Sequence, residues 1–530
     1  MDIRKDYKEA IVCPYCFQSF SHRDVHFRME SYFDENSLND EGYLEDDLTR
    51  PDIENKEALI AQTLERKPFM IRDDPLYLEW WSHYGETTER AYGIDEKLSC
   101  PVFQLPVLNP SAPEDQTSLS EVHPDRDGVD RYLIFDADGM AVAIKDRFGQ
   151  ETRRRVCPRC HNPLPIHYGK NDVKFISVIG ITGSGKTVYL SQILKYMAKY
   201  AAQLNMVATP TTDIENFIKN NPVEAGKPLP PASVEGRFSQ PMVYDLSREL
   251  SATEVRTDTI VLYDIAGEDC QSPNAMQKYG KFVEHSSGIM LLVDPQKQLD
   301  LRSDDEIAEP AIRTEPQIVL ETIHNVFLKL PSSEKCQIPL AVCVSKSDSI
   351  IDYLQNAEDV ASCDIQPIKD EQTLINIPEF NATEYNKLNQ EIRKLTQGPL
   401  MASLRVGFLN YNFFAFSATG GPAVVRQDEN GVSYKYLKGP ATPKRIAEPL
   451  FWMFYKFQYI HPNEPILLPE PRKWEPRYNV RVRTGLFRTV TVQKKASELT
   501  AQERKMALEE VRPTAEELES LKYEEDWRSF

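Results

Sequence analysis

An eight-residue glycine turn restricts this chain more than any other feature. Gly180-Ile181-Thr182-Gly183-Ser184-Gly185-Lys186-Thr187 satisfies G-x-x-x-x-G-K-[ST] at every position. Residues 173–179 before it are apolar and β-branched like a buried strand, and residues 188–200 after it are apolar at helical spacing. Strand, turn and helix in that order make a phosphate cradle. Glycines let backbone N–H groups approach the phosphates, and the helix N-terminus adds its partial positive charge. Gly180, Gly183, Ser184 and Gly185 would line the cradle, Lys186 would reach the β- and γ-phosphates, and Thr187 would ligate Mg2+. The expected ligand is a nucleotide.

At 530 residues the chain exceeds one compact core, so several units are expected. A net charge of -19 argues against a general nucleic-acid binder, which needs a basic surface to neutralise phosphates. No apolar stretch approaches the roughly 20 residues that cross a bilayer, and the start, Met1-Asp2-Ile3-Arg4-Lys5-Asp6, has no signal-peptide core. A cytoplasmic protein without a membrane partner is expected. Nine cysteines, four of them in two C-P-x-C pairs, suit metal binding in a reducing compartment.

Those pairs are Cys13-Pro14-Tyr15-Cys16 and Cys157-Pro158-Arg159-Cys160, two turns that each point two thiolates at one metal. Together Cys13, Cys16, Cys157 and Cys160 would complete a tetrahedral Zn2+ site. The gap of about 140 residues exceeds the usual ribbon spacing, and a domain inserted between the knuckles accommodates it. Two rivals stand beside this reading. The first pair also resembles a glutaredoxin active site. Alternatively, His22 or His26 with the first pair, and His161 or His167 with the second, would make two separate sites.

The expected organisation is a zinc ribbon in two pieces, 1–20 and 151–172, an inserted α+β interaction domain at 21–150, an α/β domain at 173–460 and a C-terminal extension at 461–530. The insertion is acidic at 34–54 and aromatic at 77–84, with a hairpin expected at 130–148 around Ala137-Asp138-Gly139. Beyond the turn, apolar β-type runs at 259–263, 288–293, 338–344 and 411–416 alternate with helical patterns at 317–330 and 384–404. This predicts a mostly parallel sheet with helices on both faces and ligand at the carboxyl ends of the strands. Trp80, Trp81, Tyr84 and the segment 451–459 read as core, the latter helix closing the sheet. The extension is basic at 472–495, and Thr500 with Glu503 and Thr514 with Glu517 are capping-box patterns that predict two short helices.

The strand ends decide which nucleotide fits. Asp264-Ile265-Ala266-Gly267 matches D-x-x-G, whose Asp would hold the Mg2+ shell and whose glycine N–H would sense the γ-phosphate. Ser345-Lys346-Ser347-Asp348 is a variant of N-K-x-D. Its carboxylate can accept two N–H groups from a guanine edge, which adenine does not offer, while the Lys346 stem covers the base. Serine in the first position loses the amide that usually ties this loop to the phosphate turn. Ser417-Ala418-Thr419 follows the next strand, and its backbone would contact the guanine oxygen. Ser233, with Thr211 and Thr212 as competitors, would offer a hydroxyl to Mg2+. Glu268 stands where a water-orienting group is needed; it accepts a proton but brings negative charge beside the γ-phosphate, so slow turnover is expected.

With these elements in place, residues 173–460 resemble the Ras-like P-loop GTPases. More narrowly, the chain is similar to the prokaryotic double-GTPase (DO-GTPase) families, in which a cysteine-rich ribbon can precede the GTPase. The C-P-x-C pairs, Leu229-Pro230-Pro231, Tyr263-Asp264-Ile265-Ala266-Gly267-Glu268, Val293-Asp294-Pro295 and Pro449-Leu450-Phe451-Trp452 carry that resemblance. It implies a GTP/GDP switch in bacterial signalling or conflict systems, with protein partners reached through the ribbon and insertion. An ATP-dependent P-loop enzyme and a non-hydrolysing nucleotide-bound scaffold are the alternatives.

Overall fold

The computed structural model describes residues 151–523 except 166–167, 170–171, 181–182, 232–235, 237, 239, 252, 267–268, 270–271, 296–315, 354–364, 370–375, 381, 397, 428–432, 484–488 and 507. Before residue 151 it describes 11–21, 25–28, 31–33, 66–68, 75–84, 102–103, 122–124, 130–135 and 141–146. The acidic stretch 34–54, the turn 137–139, Ser233, Gly267 and Glu268 therefore lie outside the described residues.

The sheet is built from β1 (Val173–Gly180), β2 (Met206–Pro210), β3 (Met242–Ser251), β4 (Glu254–Asp264), β5 (Gly288–Val293), β6 (Leu340–Val344) and β7 (Tyr411–Ala415). Their order is β2-β3-β4-β1-β5-β6-β7, with β1 parallel to β4 and β5, and β6 and β7 continuing the parallel run. Only β3 runs against its neighbours β2 and β4 within this sheet. Because the parallel strands are covered on both faces, their residues divide alternately between two cores. Phe175 and Ile179 pack with Val261, Tyr263 and Leu291 on one face, while Ile176 and Val178 pack with Leu190, Leu292 and Trp452 on the other. Helices that accompany the sheet include α1 (Lys186–Gln203), α2 (Pro273–Tyr279), α3 (Pro316–Thr322), α4 (Ala382–Leu395), α5 (Pro399–Gly407) and α6 (Glu448–Lys456), and a further helix spans Thr212–Asn220. The expected closing helix is α6, whose Phe451, Trp452 and Phe454 are buried.

Several boundaries moved for identifiable reasons. The helical pattern at 384–404 is two helices, because Gly398 takes φ 73° and Pro399 starts α5, where its missing N–H costs nothing. The pattern at 317–330 is α3 followed by a π-turn at Ile323–Phe327. The basic run in the extension is an antiparallel pair, Arg477–Arg483 with Thr489–Lys495, flanked by Glu509–Val511. Thr514 and Glu517 do cap an α-helix, Ala515–Ser520, but Thr500 and Glu503 lead only into a 3-10 turn at Glu503–Lys505.

In the first half, the hairpin appears as Asp130–Phe135 against Ala141–Asp146. The strand His26–Arg28 pairs with Arg155–Val156, joining chain expected in the insertion to chain expected in the ribbon. The first knuckle packs beneath β4. Tyr263, fully buried, donates its hydroxyl hydrogen bond to the Pro14 carbonyl at 2.6 Å, and Phe17 packs against the rings of Tyr263 and Phe282. Tyr263→Phe would leave that carbonyl unpaired in the core, and chemical denaturation should report a loss of about 1–2 kcal/mol.

Candidate functional site

The turn after β1 has the backbone that a phosphate cradle requires. Gly185, at the N-cap of α1, takes φ 76° and ψ 23°, a left-handed conformation that a side chain would strain. At Gly180 a Cβ would stand 2.5 Å from Ser184 Oγ. The Ser184 hydroxyl itself is buried and has no hydrogen-bond partner among the described residues, as expected of a group aimed at a ligand. Lys186 and Thr187 begin α1. Parallel pairing sets Val178 of β1 beside Asp264 at the end of β4. Lys186 Nζ accordingly meets Asp264 Oδ1 at 3.0 Å, with both side chains largely buried. A cation and a carboxylate thus meet from the ends of two adjacent strands.

The loop after β6 is tied down differently from the expectation. Ser345 lacks an amide, yet its N–H and its hydroxyl both donate to the Val293 carbonyl at the end of β5, at 3.0 and 3.1 Å. Lys346 adopts φ 53° and its ammonium pairs with Asp294 Oδ2 at 2.7 Å, beside Gly185 of the turn. Ser347 N–H donates to the Phe416 carbonyl, and Ser417 Oγ donates to Asp348 Oδ1 at 2.5 Å while accepting from Gly420 N–H. The Asp348 carboxylate is thereby oriented by the loop that carries Ala418. Asp294 had been singled out only as part of a resemblance. Its signal was a carboxylate placed directly after an apolar strand of a phosphate-binding sheet.

One cavity of about 770 Å³ joins these parts. Gly183, Ser184, Gly185, Lys186 and Thr187 line it together with Ser345, Lys346, Asp348 and Ala418. The 228–231 loop, whose Leu229-Pro230-Pro231 the sequence marked only through a resemblance, also lines it, and sequence reasoning missed one contributor, an antiparallel hairpin formed by β8 (Val424–Gln427) and β9 (Ser433–Tyr436).

The four paired cysteines also meet. Their Sγ atoms lie within 4.8 Å of one another, with Cys13 to Cys160 at 3.7 Å and Cys16 to Cys157 at 3.8 Å. A tetrahedral ion with sulfur at about 2.3 Å needs S···S edges near 3.8 Å, so the donor set fits one zinc ion. Backbone N–H groups of Tyr15 and Arg159 donate to Cys13 Sγ and Cys157 Sγ, each at 3.3 Å, as knuckle turns require. Burial pushes the Cys13 and Cys160 thiols well up, whereas hydrogen bonds from the other three cysteines hold Cys16 down. Convergence of both pairs removes the glutaredoxin geometry and the two-site alternative as readings of these thiols. The nearby His26 and His161 hydrogen-bond each other, Nδ1 to Nε2 at 3.0 Å.

Sheet and turn together define an α/β P-loop fold. Residues 174–404, less than half of the chain, match the family described as Double-GTPase 2. The match supports a GTP-binding protein. The chain is also 21% identical, over 56% of its length and 78% of the relative's, to the "Putative ESX-1 scaffolding and assembly protein SaeC" of Mycolicibacterium smegmatis. Among solved structures it is similar to translation elongation factor SelB of Methanococcus maripaludis with a GTP analogue, at 11% identity, a TM-score of 0.21 and 61% of this chain. It is likewise similar to Sup35 complexed with GDP, at 14% identity, a TM-score of 0.19 and 49% of this chain. The chain spans only 42% and 41% of those two proteins. Among the described residues no helix is long and apolar enough to cross a membrane.

Proposed function

We propose that this chain is a GTP-binding molecular switch that hydrolyses GTP slowly to GDP and phosphate, works in bacterial signalling or conflict systems and resides in the cytoplasm. The observation carrying this reading is the cavity shared by Lys186, Thr187 and the Ser345–Asp348 loop, with Asp264 paired to Lys186. In this reading Thr187 and Asp264 hold Mg2+, with Ser233 as a further ligand. The ion supplies charge neutralisation at the β- and γ-phosphates. Lys186 stabilises the phosphate oxygens, Asp348 selects guanine, and the Gly267 N–H senses the γ-phosphate. Glu268 positions the attacking water weakly, having no amide to donate. Glu268→Ala should therefore lower single-turnover phosphate release by only about tenfold, within the range of one general-base contribution or less. Equal rates for the two proteins would remove Glu268 from the reaction.

The ribbon pieces 1–20 and 151–172, the insertion 21–150, the GTPase unit 173–460 and the extension 461–530 form the domain plan of the same proposal. Zinc at Cys13, Cys16, Cys157 and Cys160 supplies a cross-link between the N-terminus and the chain entering β1. The Tyr263 bond to Pro14 supports contact between that knuckle and the strand carrying Asp264. Protein partners would bind through the ribbon and insertion. A second reading, a nucleotide-bound scaffold without turnover, is favoured by the description of the relative SaeC as a scaffolding and assembly protein. Phosphate release from GTP above that of a Lys186→Ala control separates the switch from the scaffold.

A further inference from the structure

The loop before the Ser233 segment does more than connect two elements. Ala225 bridges Leu437, Pro228 bridges Tyr436, and Gly226 N–H donates to the Leu437 carbonyl at 2.8 Å. Within Pro228-Leu229-Pro230-Pro231 three residues are proline, so Leu229 carries the segment's single backbone N–H. That N–H is used: it donates to the Lys435 carbonyl at 2.7 Å. Prolines hold such a segment stiff and extended, so it loses little entropy on being ordered against a ligand.

The position of this strap gives it a ligand. The β8–β9 hairpin to which it is fastened follows directly from the Ser417–Pro422 loop that orients Asp348. Pro228, Leu229, Pro230 and Pro231 then line the same cavity as Asp348 and Ala418, joined by Tyr434 and Lys435 of the hairpin. Arg426 stacks over the Tyr436 ring at 4.4 Å, and Tyr436 and Leu437 are buried, so the hairpin is anchored where the strap meets it.

We infer that the Pro228–Pro231 strap, fastened to the β8–β9 hairpin through Leu229, is a further nucleotide-contact element that covers the base and ribose and sets how fast guanine nucleotide leaves. The inference rests on the guanine reading proposed above. It assigns the apolar Leu229 and proline faces to the base and ribose, the phosphates remaining with the glycine turn.

Dissociation of radiolabelled GDP from the full chain tests this. Leu229→Pro deletes the fastening N–H while keeping an apolar side chain, and Leu229→Ala keeps the N–H while removing the side chain. Loss of one hydrogen bond predicts about tenfold faster GDP release from Leu229→Pro, and loss of the side-chain contact about threefold from Leu229→Ala, with association rates unchanged. The nucleotide-free melting temperature should stay within about 2 °C of the unsubstituted chain. Wild-type release from a folded Leu229→Pro overturns the inference. If that variant fails to fold, Leu229→Ala decides: faster release supports the strap and wild-type release overturns it. An unsubstituted chain that binds no GDP at all refutes the guanine reading on which the strap depends.

Discussion

Cys13→Ser and Cys157→Ser should each abolish stoichiometric zinc and cost the chain about 4–5 kcal/mol or more, the range reserved for loss of a metal site. Three of the four thiols are buried, in the same core cluster as Phe17, Tyr263 and Phe282. Without a cation, four sulfurs within 4.8 Å would repel as thiolates or be packed as bulky thiols. A zinc cross-link there would also close a very long loop, so its removal would release a tie between the first knuckle and the chain entering β1. Elemental analysis and thermal melting are the readouts. A purified protein with no zinc and an unchanged melting curve in Cys13→Ser would refute the ribbon. Substitution of Cys343, which is buried in the strand β6 away from the cluster, should leave zinc content unchanged.

Asp348→Asn should lower GTP affinity by about 100-fold or more, because two charge-assisted hydrogen bonds to the guanine edge are replaced by one bond and one donor-donor clash. Xanthosine triphosphate carries an oxygen where guanine carries the amino group, so the asparagine amide can donate to it and affinity for that nucleotide should rise. Ser417→Ala should produce a smaller loss, about fivefold, since it removes only the hydroxyl that orients the carboxylate. Competition binding with the three triphosphates reads both effects. A substitution that weakens GTP and ATP equally would place Asp348 outside base recognition.

The legibility of these sites follows from how each is encoded. The phosphate turn is contiguous in sequence, and its glycines, lysine and strand-helix flanks each state a local requirement. The parallel strands were visible as apolar runs because burial on both faces removes alternation. β3 was not, since Met242–Ser251 mixes Asp245, Ser247, Arg248 and Glu249 into a strand held by its neighbours rather than by propensity. The knuckles were readable from two C-P-x-C pairs, although only folding sets their sulfurs 3.7 and 3.8 Å apart. The strap showed in sequence as Leu229-Pro230-Pro231, but its fastening to Lys435 and Leu437 did not, because that contact is backbone to backbone across some 200 positions. Gly398-Pro399 did carry a helix break, and the apolar periodicity running through it masked that signal.

The consequence for function is a cleft in which each specificity element is held by a neighbour. Asp348 is oriented by Ser417, Lys346 by Asp294, and Ser345 by the end of β5. On the proposed reading, base recognition would depend on β5, β6 and β7 keeping their parallel register, and phosphate binding on β1 and β4. Equilibrium binding of GTP, with ATP as competitor, measured on the purified full chain in Mg2+, tests the central claim most directly. GTP binding with about 100-fold or greater preference over ATP is the predicted result, as two hydrogen bonds to a carboxylate require. Equal affinity for the two nucleotides, or no affinity for GTP, would contradict it.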